Sequence, residues 1–260
     1  MFIRNFLIPM GAAIWSADPG KFTEFPARNF IRFFQNHGFL KVRDQPQWLV
    51  IKGGSNRYAE KLTEPFRGRI RLRCPVESVK RLSDSVEVIP RGGTPERFDQ
   101  VVIAAHSDQA LAMLADPSDR EREILGAIPY QKNETVLHTD TALLPRRRIC
   151  WASWNYIIPE QESGGVALTY DMNILQTLSA PKEFCVTLNQ THAIDPEKVL
   201  VHMIYDHPVY TVKGIAAQKQ RDTINGINRT YFCGAYWGHG FHEDGVNSAL
   251  AVCRHFGEGI

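Results

Sequence analysis

The closing stretch of the sequence, RTYFCGAYWGHGFHEDGVNSALAVCRHF, combines closely spaced glycines with side chains that can move protons. An apolar strand is predicted to run into Gly234, and more glycines precede a helix predicted from about Val246 to Phe256. Glycines let a backbone approach a ligand closely, and amides at a helix start near Gly245 can donate to an electron-rich carbonyl or an anion. The pattern suits a bulky planar ligand, although a ligand-free tight connection shows the same pattern.

Two neighbouring residues in this stretch, His242 and Glu243, are the candidate catalytic residues, either as a proton acceptor or as groups that orient the ligand. The alternative is that both are solvated or cap the last helix. A metal site is not expected at His239, His242 and Asp244, because no further ligands at a familiar spacing accompany them.

Aromatic residues are the candidates for a substrate wall. Tyr236 and Trp237 lie in the glycine-rich stretch, and Trp15 lies near the start of the chain; Trp15 is explained equally well as core. A helix predicted over the segment from Phe22 to Phe34 either packs in the core or lines an apolar cavity.

Two further stretches have the pattern of elements that position a site. The run from Trp48 to Ile51 predicts a short strand that enters a glycine turn at Gly53 and Gly54 and then a helix. From Ile70 an alternating pattern predicts a small antiparallel meander, and FDQVVIAA (98–105) predicts a strand buried on both faces. The meander is therefore expected to be inserted between two parallel strands.

The rest of the chain predicts caps and a second sheet. Ser107 is predicted to cap one helix, and Ser118 with Glu121 predicts a capping box for the next. Residues 130 to 215 predict a separate sheet from five β-rich runs: ETVLHTD, RICWASWNYII, GGVALTYDMN, FCVTLNQ and KVLVHMIYDH.

Composition narrows the class of protein. The 260 residues are 43% hydrophobic with a net charge of +2, which is typical of a soluble globular protein and gives no reason to expect nucleic acid as a partner. The basic run Arg146–Arg148 is explained best as a solvated turn. Five cysteines without a C-x-x-C pair favour reduced thiols in the cytoplasm, and no apolar run is long enough for stable membrane insertion.

Most of the chain resembles the flavin-containing amine oxidase and phytoene desaturase superfamily, most closely a bacterial branch of NAD/FAD-binding, amine-oxidase-like proteins. The closing stretch is similar to that superfamily's carboxy-terminal flavin motif. IKGGSNRYAEKL resembles its double-glycine segment, and IRLRCPVESVKRLSDSVEVIP with FDQVVIAA resembles its strand, meander and return strand. The stretches AAIWSADP, LHTD and WASWNY also resemble segments of that superfamily's sequences.

The resemblance implies FAD as the cofactor and a set of residues that bind it. Val76 would meet the adenine through its backbone, and Gly234 with Ala235 would lie beside the ribityl chain and diphosphate. Gly245 and Val246 would face the flavin pyrimidine. Gly53 and Gly54 would belong to the family's double-glycine segment. Many relatives have an acidic residue at the position of Ala235, so ribityl recognition would rely on backbone or neighbouring groups.

Two departures from the family pattern shape the functional expectation. The G-x-G-x-x-G motif that binds the diphosphate is absent from the sequence. We therefore expect the chain to be the carboxy-terminal portion of a longer flavoprotein, with the missing amino-terminal segment as its partner. Many amine oxidases offer a lysine near His138, Thr139 and Asp140, and its absence here makes a lipid-like substrate at least as suitable as an amine.

The expected fold class is α/β (α+β mixed), a partial FAD-binding Rossmann-like domain interleaved with a β-sheet-plus-helices substrate domain. The substrate domain would comprise residues 1–47 and 107–215, and the FAD-binding remnant 48–106 and 216–260. The expected function is a FAD-dependent oxidoreductase that moves a hydride from a small or lipid-like organic substrate to the flavin. The alternatives are a flavin-free binding protein for an apolar ligand and a non-functional fragment.

Overall fold

The computed structural model describes residues 1–158 and 164–259, and the chain forms two compact units. The first unit comprises Met1–Ile70 and Gln131–His207, and the second comprises Arg71–Tyr130 and Pro208–Ile260. Both mix helices with strands, which confirms the expected mixed class. The assignment of one domain to substrate and one to cofactor, with the boundaries given above, stays a prediction.

The helices of the first unit lie mainly before residue 70. A π-helical turn, Ile3–Leu7, runs directly into α1 (Ile8–Trp15). The further helices are α2 (Ala27–Asn36) and α3 (Asn56–Thr63). Two 3-10 turns lie at Phe22–Glu24 and Glu64–Arg69. The helix predicted from Phe22 to Phe34 is interrupted, because Pro26 is held in an extended conformation and α2 begins after it. As predicted, this helix ends just before Gly38, whose φ is +72°.

The predicted strand from Trp48 to Ile51 is wrong. Residues 45–51 have no regular structure, and the four apolar side chains at 48–51 are all exposed. An apolar run becomes a strand only where a neighbour takes up its backbone hydrogen bonds, and no described strand does so here. The turn that follows is confirmed, since Gly53 and Gly54 have φ of +84° and +90° and lead into α3.

The second sheet predicted between residues 130 and 215 is confirmed. Its strands are β5 (Tyr130–His138), β6 (Trp154–Tyr156), β7 (Leu168–Asp171), β8 (Cys185–Leu188) and β9 (Val199–Pro208). Their order in the sheet is β6-β7-β8-β5-β9, and β7 pairs antiparallel with both β6 and β8. The short helix α6 (Met172–Gln176) follows β7. Short 3-10 turns lie between them at Thr141–Leu143, Arg148–Cys150, Thr191–Ala193 and Pro196–Lys198.

The second unit contains the predicted meander and one parallel strand pair. Strands β1 (Val76–Arg81), β2 (Val86–Pro90) and β3 (Glu96–Phe98) form the antiparallel meander, and β4 (Val101–Ile103) pairs in parallel with β10 (Thr230–Phe232). The prediction of two parallel strands around the meander is half right, because the run at 48–51 does not form the first of them.

Four helices pack around these strands: α4 (Ser107–Met113), α5 (Asp119–Leu125), α7 (Val212–Gln218) and α8 (His242–Cys253). Short 3-10 turns occur at Arg221–Thr223, Ala235–Trp237 and Arg254–Phe256. One core cluster joins strands and helices of this unit, and Val79, Ile124 and Phe232 are among its fully or almost fully buried members.

One predicted cap is confirmed and one is wrong. Ser118 and Glu121 form the capping box at the start of α5. Ser107 does not cap α4, because it is the first helical residue and its backbone N–H donates to the hydroxyl of Tyr130 at 2.9 Å.

Candidate functional site

The candidate site is the connection from β10 through the glycine-rich loop to α8, and Ser248 holds its two ends together. The hydroxyl of Ser248 accepts a hydrogen bond from the Gly234 N–H at 2.8 Å and donates to the Gly245 carbonyl at 2.7 Å. Ser248 is buried. The strand end and the first turns of the helix are therefore fixed relative to each other before any ligand binds.

Gln218, at the end of α7, supports the middle of the loop. Its amide nitrogen donates to the carbonyls of Tyr236 and Gly238, each at 2.7 Å. Neither Gln218 nor Ser248 was among the predicted site residues. No local pattern reveals Gln218, because its partners lie 18 and 20 residues further along the chain.

Helix α8 begins at His242, four residues before the predicted start at Val246. The side chain of Asp244 accepts a hydrogen bond from the Phe241 N–H at 3.0 Å, and the Gly245 N–H already donates to the Phe241 carbonyl at 3.1 Å. The amide of Gly245 thus belongs to the helix ladder. The amides that precede that ladder are those of the first turn, from His242 to Asp244.

Two glycines of this connection are explained by close approach. A Cβ at Gly238 would lie 2.1 Å from the carboxylate of Asp244, so a side chain there would displace the carboxylate that caps the helix. A Cβ at Gly240 would lie 2.6 Å from the Tyr210 hydroxyl, and its φ is +95°. Both positions therefore require glycine for local structure.

Gly245 is different, because a Cβ there would make only ordinary van der Waals contact. A Cβ at Gly245 would meet nothing closer than the Ala235 backbone nitrogen, at 3.9 Å. The structure thus brings together the predicted pair Ala235 and Gly245, with the exposed Val246 next to them. The start of α8 thus packs closely against the loop at Ala235, and a side chain larger than a methyl group at position 245 would press on that loop.

The candidate catalytic residues His242 and Glu243 lie in the first turn of α8, and both are exposed. The Glu243 carboxylate accepts a hydrogen bond of 3.4 Å from the Asn247 side chain, one turn further along. Their place at the helix start brings them close in sequence and space to Gly245. Their catalytic role stays a prediction.

The aromatic candidates are divided between the two units. Tyr236 is 3% exposed and its ring lies against Gly234, where a Cβ would be only 2.4 Å away. Burial raises the pKa of the Tyr236 hydroxyl well above its ordinary value. The Trp237 indole N–H donates to the Phe232 carbonyl at 3.2 Å. In the first unit, Trp15 is buried within a group of phenylalanine rings: Phe22, Phe25, Phe30 and Phe33.

The remaining predicted cofactor residues, Val76, Gly53 and Gly54, lie in other elements of the fold. Val76 begins β1, pairs with Pro90 and packs against the core of the second unit. Gly53 and Gly54 form a turn in the first unit in which Gly53 is exposed and Gly54 partly buried, and a Cβ at Gly53 would approach the Arg57 guanidinium at 3.1 Å.

Two other classes of site have no support in the described ranges, 1–158 and 164–259. No group of three or more His, Cys, Asp or Glu side chains there is arranged to bind a metal ion. Within the same ranges, every helix is too short or too polar to cross a lipid bilayer.

Comparisons with solved structures give the fold. The cyclohexylamine oxidase from Brevibacterium oxydans IH-35A is similar with a TM-score of 0.62 and 13% identity over 97% of this chain. The CLA-producing fatty acid isomerase from P. acnes has a TM-score of 0.58 and 14% identity over 78% of this chain. A putrescine oxidase has a TM-score of 0.55 and 10% identity over 80% of this chain.

This chain spans 64% of the length of the cyclohexylamine oxidase, 52% of the isomerase and 54% of the putrescine oxidase. At these identities the likeness concerns the fold. A comparison with curated protein sequences gives no significant match.

The sequence model of the flavin-containing amine oxidoreductase family matches residues 5–141, which is more than half of the chain. The match confirms the superfamily that the sequence motifs resemble, and the family's name indicates a flavin as the cofactor class. The chain belongs to the flavin-containing amine oxidoreductase family.

Proposed function

We propose that this protein acts as an FAD-dependent oxidoreductase that moves a hydride from a small or lipid-like organic substrate to the flavin. The observation that carries the proposal is the fixed strand–loop–helix connection, in which Ser248 bonds to Gly234 and Gly245, in a chain of this family. Bound FAD would supply the hydride acceptor, so the protein's part is to orient the substrate and exclude water.

The residues around this connection suit the flavin end of the cofactor. The first-turn amides of α8 favour an electron-rich carbonyl of the flavin. His242 and Glu243 would orient the ligand or accept a proton at its edge. The diphosphate end is different, because the 260 residues contain no G-x-G-x-x-G motif to bind it.

The proposal therefore includes a further polypeptide segment that carries such a motif. The open edge of β4 is the place where a strand of that segment would pair. Within the described ranges β4 pairs with β10 alone, and Val102 in its centre is 46% exposed. The outer edge of β10 is covered, because the Asn225 side chain accepts from the Phe232 N–H at 2.6 Å. A parallel pair of strands is normally buried on both faces within a larger sheet. The edge of β4 is thus the side on which a further parallel strand would add.

The proposed substrate is small or lipid-like, and an amine is not required. His138 is fully buried: its Nδ1 accepts the Asp140 N–H at 3.1 Å and its Nε2 lies 2.7 Å from the Thr187 hydroxyl. Both ring nitrogens are therefore engaged inside the sheet, where they do not serve as a proton acceptor for an amine. A cytoplasmic location completes the proposal and agrees with the five unpaired cysteines.

The test is the visible absorbance of the purified chain after addition of FAD and removal of unbound cofactor. We expect flavin bands in the protein fraction, either with the chain alone or after co-expression with a strand, G-x-G-x-x-G turn and helix. Cyclohexylamine, putrescine and a polyunsaturated fatty acid are then added without oxygen, and bleaching of the bands reports hydride transfer.

Gly245→Leu should abolish flavin retention, because leucine is well tolerated in a helix but its side chain would displace the loop at Ala235. Asn247→Leu is the matched control: it lies in the same helix, is exposed, and points to nearly the opposite side. A folded chain that stays colourless with and without the added segment would refute the proposal and favour the flavin-free binding protein. Equal flavin retention in the two variants would remove Gly245 from the site.

A further inference from the structure

Asp171 is a buried carboxylate of the first unit, at the junction of β7 and α6. Its Oδ1 accepts the Ile174 N–H at 3.0 Å and caps the helix. Its Oδ2 is also buried, and no N–H or O–H group among the residues that the structure describes donates to it. Burying a charged oxygen costs free energy unless a hydrogen bond replaces the lost water. We therefore expect a neighbouring group to supply a donor to Asp171 Oδ2.

Glu183 is placed beside Asp171 by the pairing of β7 and β8. Asp171 pairs with Cys185 in the antiparallel ladder, and Glu183 precedes Cys185 by two residues. Residues two apart in an extended chain lie on the same face, and diagonal neighbours on adjacent strands are within reach of long side chains. The carboxyls of Glu183 and Asp171 are therefore close enough to interact by hydrogen bonding and by charge.

Asn173 in α6 holds the backbone of Glu183 in this place. Its side-chain nitrogen donates to the Lys182 carbonyl at 2.9 Å, and its side-chain oxygen accepts the Phe184 N–H at 3.2 Å. The residues on both sides of Glu183 are thus bonded to the helix that Asp171 caps. The Lys182 side chain is exposed, whereas the Glu183 side chain is only 16% exposed.

The groups around Glu183 favour opposite charge states of its carboxyl. Burial and the Asp171 carboxylate raise the pKa of Glu183, and the Arg148 guanidinium, 3.8 Å away and largely exposed, opposes them. Burial and the charges of Asp171, Glu183 and Asp140 raise the pKa of the Cys185 thiol to about 12, so the thiol stays protonated. Glu183 is therefore the group of this cluster that changes charge between acidic and neutral pH.

We propose that Glu183 exchanges partners with pH. When protonated, its carboxyl donates a hydrogen bond to Asp171 Oδ2; when ionised, it has released that proton to solvent and pairs with the Arg148 guanidinium. The first state supplies the donor that the buried oxygen needs. The second leaves two carboxylates side by side and binds the 3-10 turn Arg148–Cys150 to the sheet through Arg148. The exchange thus couples the contact of this turn to pH.

The stability of the chain should follow the same exchange. An unfolded glutamate has a pKa of about 4.3, and the folded value of Glu183 is higher. Between these two values the folded state binds more protons, so this contribution to the free energy of unfolding is complete below pH ~4.3 and is lost as the pH rises through the folded pKa. Glu183→Gln should remove this slope in urea titrations, because glutamine keeps an N–H donor but does not ionise. Glu197→Gln, at an exposed glutamate, should keep it.

Carboxyl ¹³C NMR of the glutamate-labelled 260-residue chain tests the partners directly. The resonance of Glu183 is the one that Glu183→Gln removes, and its midpoint should lie above that of glutamates in the urea-unfolded chain. Asp171→Asn should lower the midpoint, because it removes the adjacent negative charge while asparagine still caps α6. Arg148→Gln should raise it, and Arg147→Gln, at the neighbouring exposed arginine, is the matched control that should leave it unchanged.

The two shifts in opposite directions distinguish partner exchange from simple burial. A Glu183 midpoint at the ordinary glutamate value would refute the hydrogen bond to Asp171. A raised midpoint that Arg148→Gln leaves as unchanged as Arg147→Gln does would show that burial alone sets it, and would overturn the exchange. If Asp171→Asn does not fold, the comparison of the two arginine variants still decides.

Discussion

At the scale of single residues, the best-defined polar contact of the second unit is the buried ion pair of Arg81 and Glu121. The guanidinium donates to both carboxylate oxygens, at 2.5 and 3.1 Å, and Arg81 also binds Asp116 at 3.0 Å. Ser118 donates to the same carboxylate from its backbone and its hydroxyl. Burial alone would raise the pKa of Glu121, but the hydrogen bonds from Arg81 and Ser118 outweigh it and hold that pKa below its ordinary value.

We predict that Glu121→Gln destabilises the protein by about 3–5 kcal/mol, because it leaves the buried Arg81 charge with only the partly exposed carboxylate of Asp116 as an ion-pair partner. Glu123→Gln is the matched control in the same helix, where the pair with Arg120 is about half exposed; it should cost less than about 1 kcal/mol. Denaturant unfolding followed by circular dichroism measures both. Equal losses of unfolding free energy in the two variants would show that the buried ion pair stabilises the protein no more than the exposed one.

At the scale of secondary-structure elements, the sheet of the first unit contains a hydrogen-bonded chain that crosses three strands. His138 of β5 bonds to the Thr187 hydroxyl of β8, which lies 2.8 Å from the Thr169 hydroxyl of β7. Since His138 Nδ1 accepts the Asp140 N–H, the ring proton is on Nε2 and the histidine is neutral. Burial lowers the pKa of His138, although Asp140 opposes this effect.

The lowered pKa predicts how stability depends on pH. In the unfolded chain a histidine has a pKa of about 6.5, so between that value and the lower folded value the unfolded state binds more protons. The free energy of unfolding should therefore be constant above pH ~6.5 and fall below it, by at most about 1.4 kcal/mol per pH unit from this residue. His138→Gln should remove this contribution in urea titrations across that range, whereas His202→Gln, at an exposed histidine, should keep it.

The elements that the sequence predicts correctly are those whose signal is local. Alternation and turn residues predict the five strands between 130 and 208, and the Ser118–Glu121 spacing predicts its cap. The run at 48–51 fails because a strand depends on a partner that a local pattern does not contain. The predicted start of α8 at Val246 is four residues late, because the glycines up to Gly245 indicate a loop, whereas Asp244 caps the helix from inside its first turn.

At the scale of the whole molecule, each unit has its own core. The cluster around Val79 and Phe232 belongs to the second unit, and the cluster around Ala12 and Leu168 belongs to the first. Gln218 lies outside the closing stretch and still supports the loop, and motif spacing does not identify such a residue. The sequence therefore supplies candidate site residues, whose roles stay predictions, and a supporting residue such as Gln218 is found only in the folded unit.

The distribution of tryptophans allows the two cores to be followed separately. Trp237 is the only tryptophan of the second unit, and the other four lie in the first. We predict that Glu121→Gln lowers the melting temperature of the second unit, measured by the fluorescence of Trp237. The melting temperature of the first unit should not change. In a Trp237→Phe background, fluorescence reports the first unit alone, so adding Glu121→Gln should leave that melting curve unchanged. A shift of the curve in this background, equal to that in the presence of Trp237, would mean that the two cores unfold as one cooperative structure.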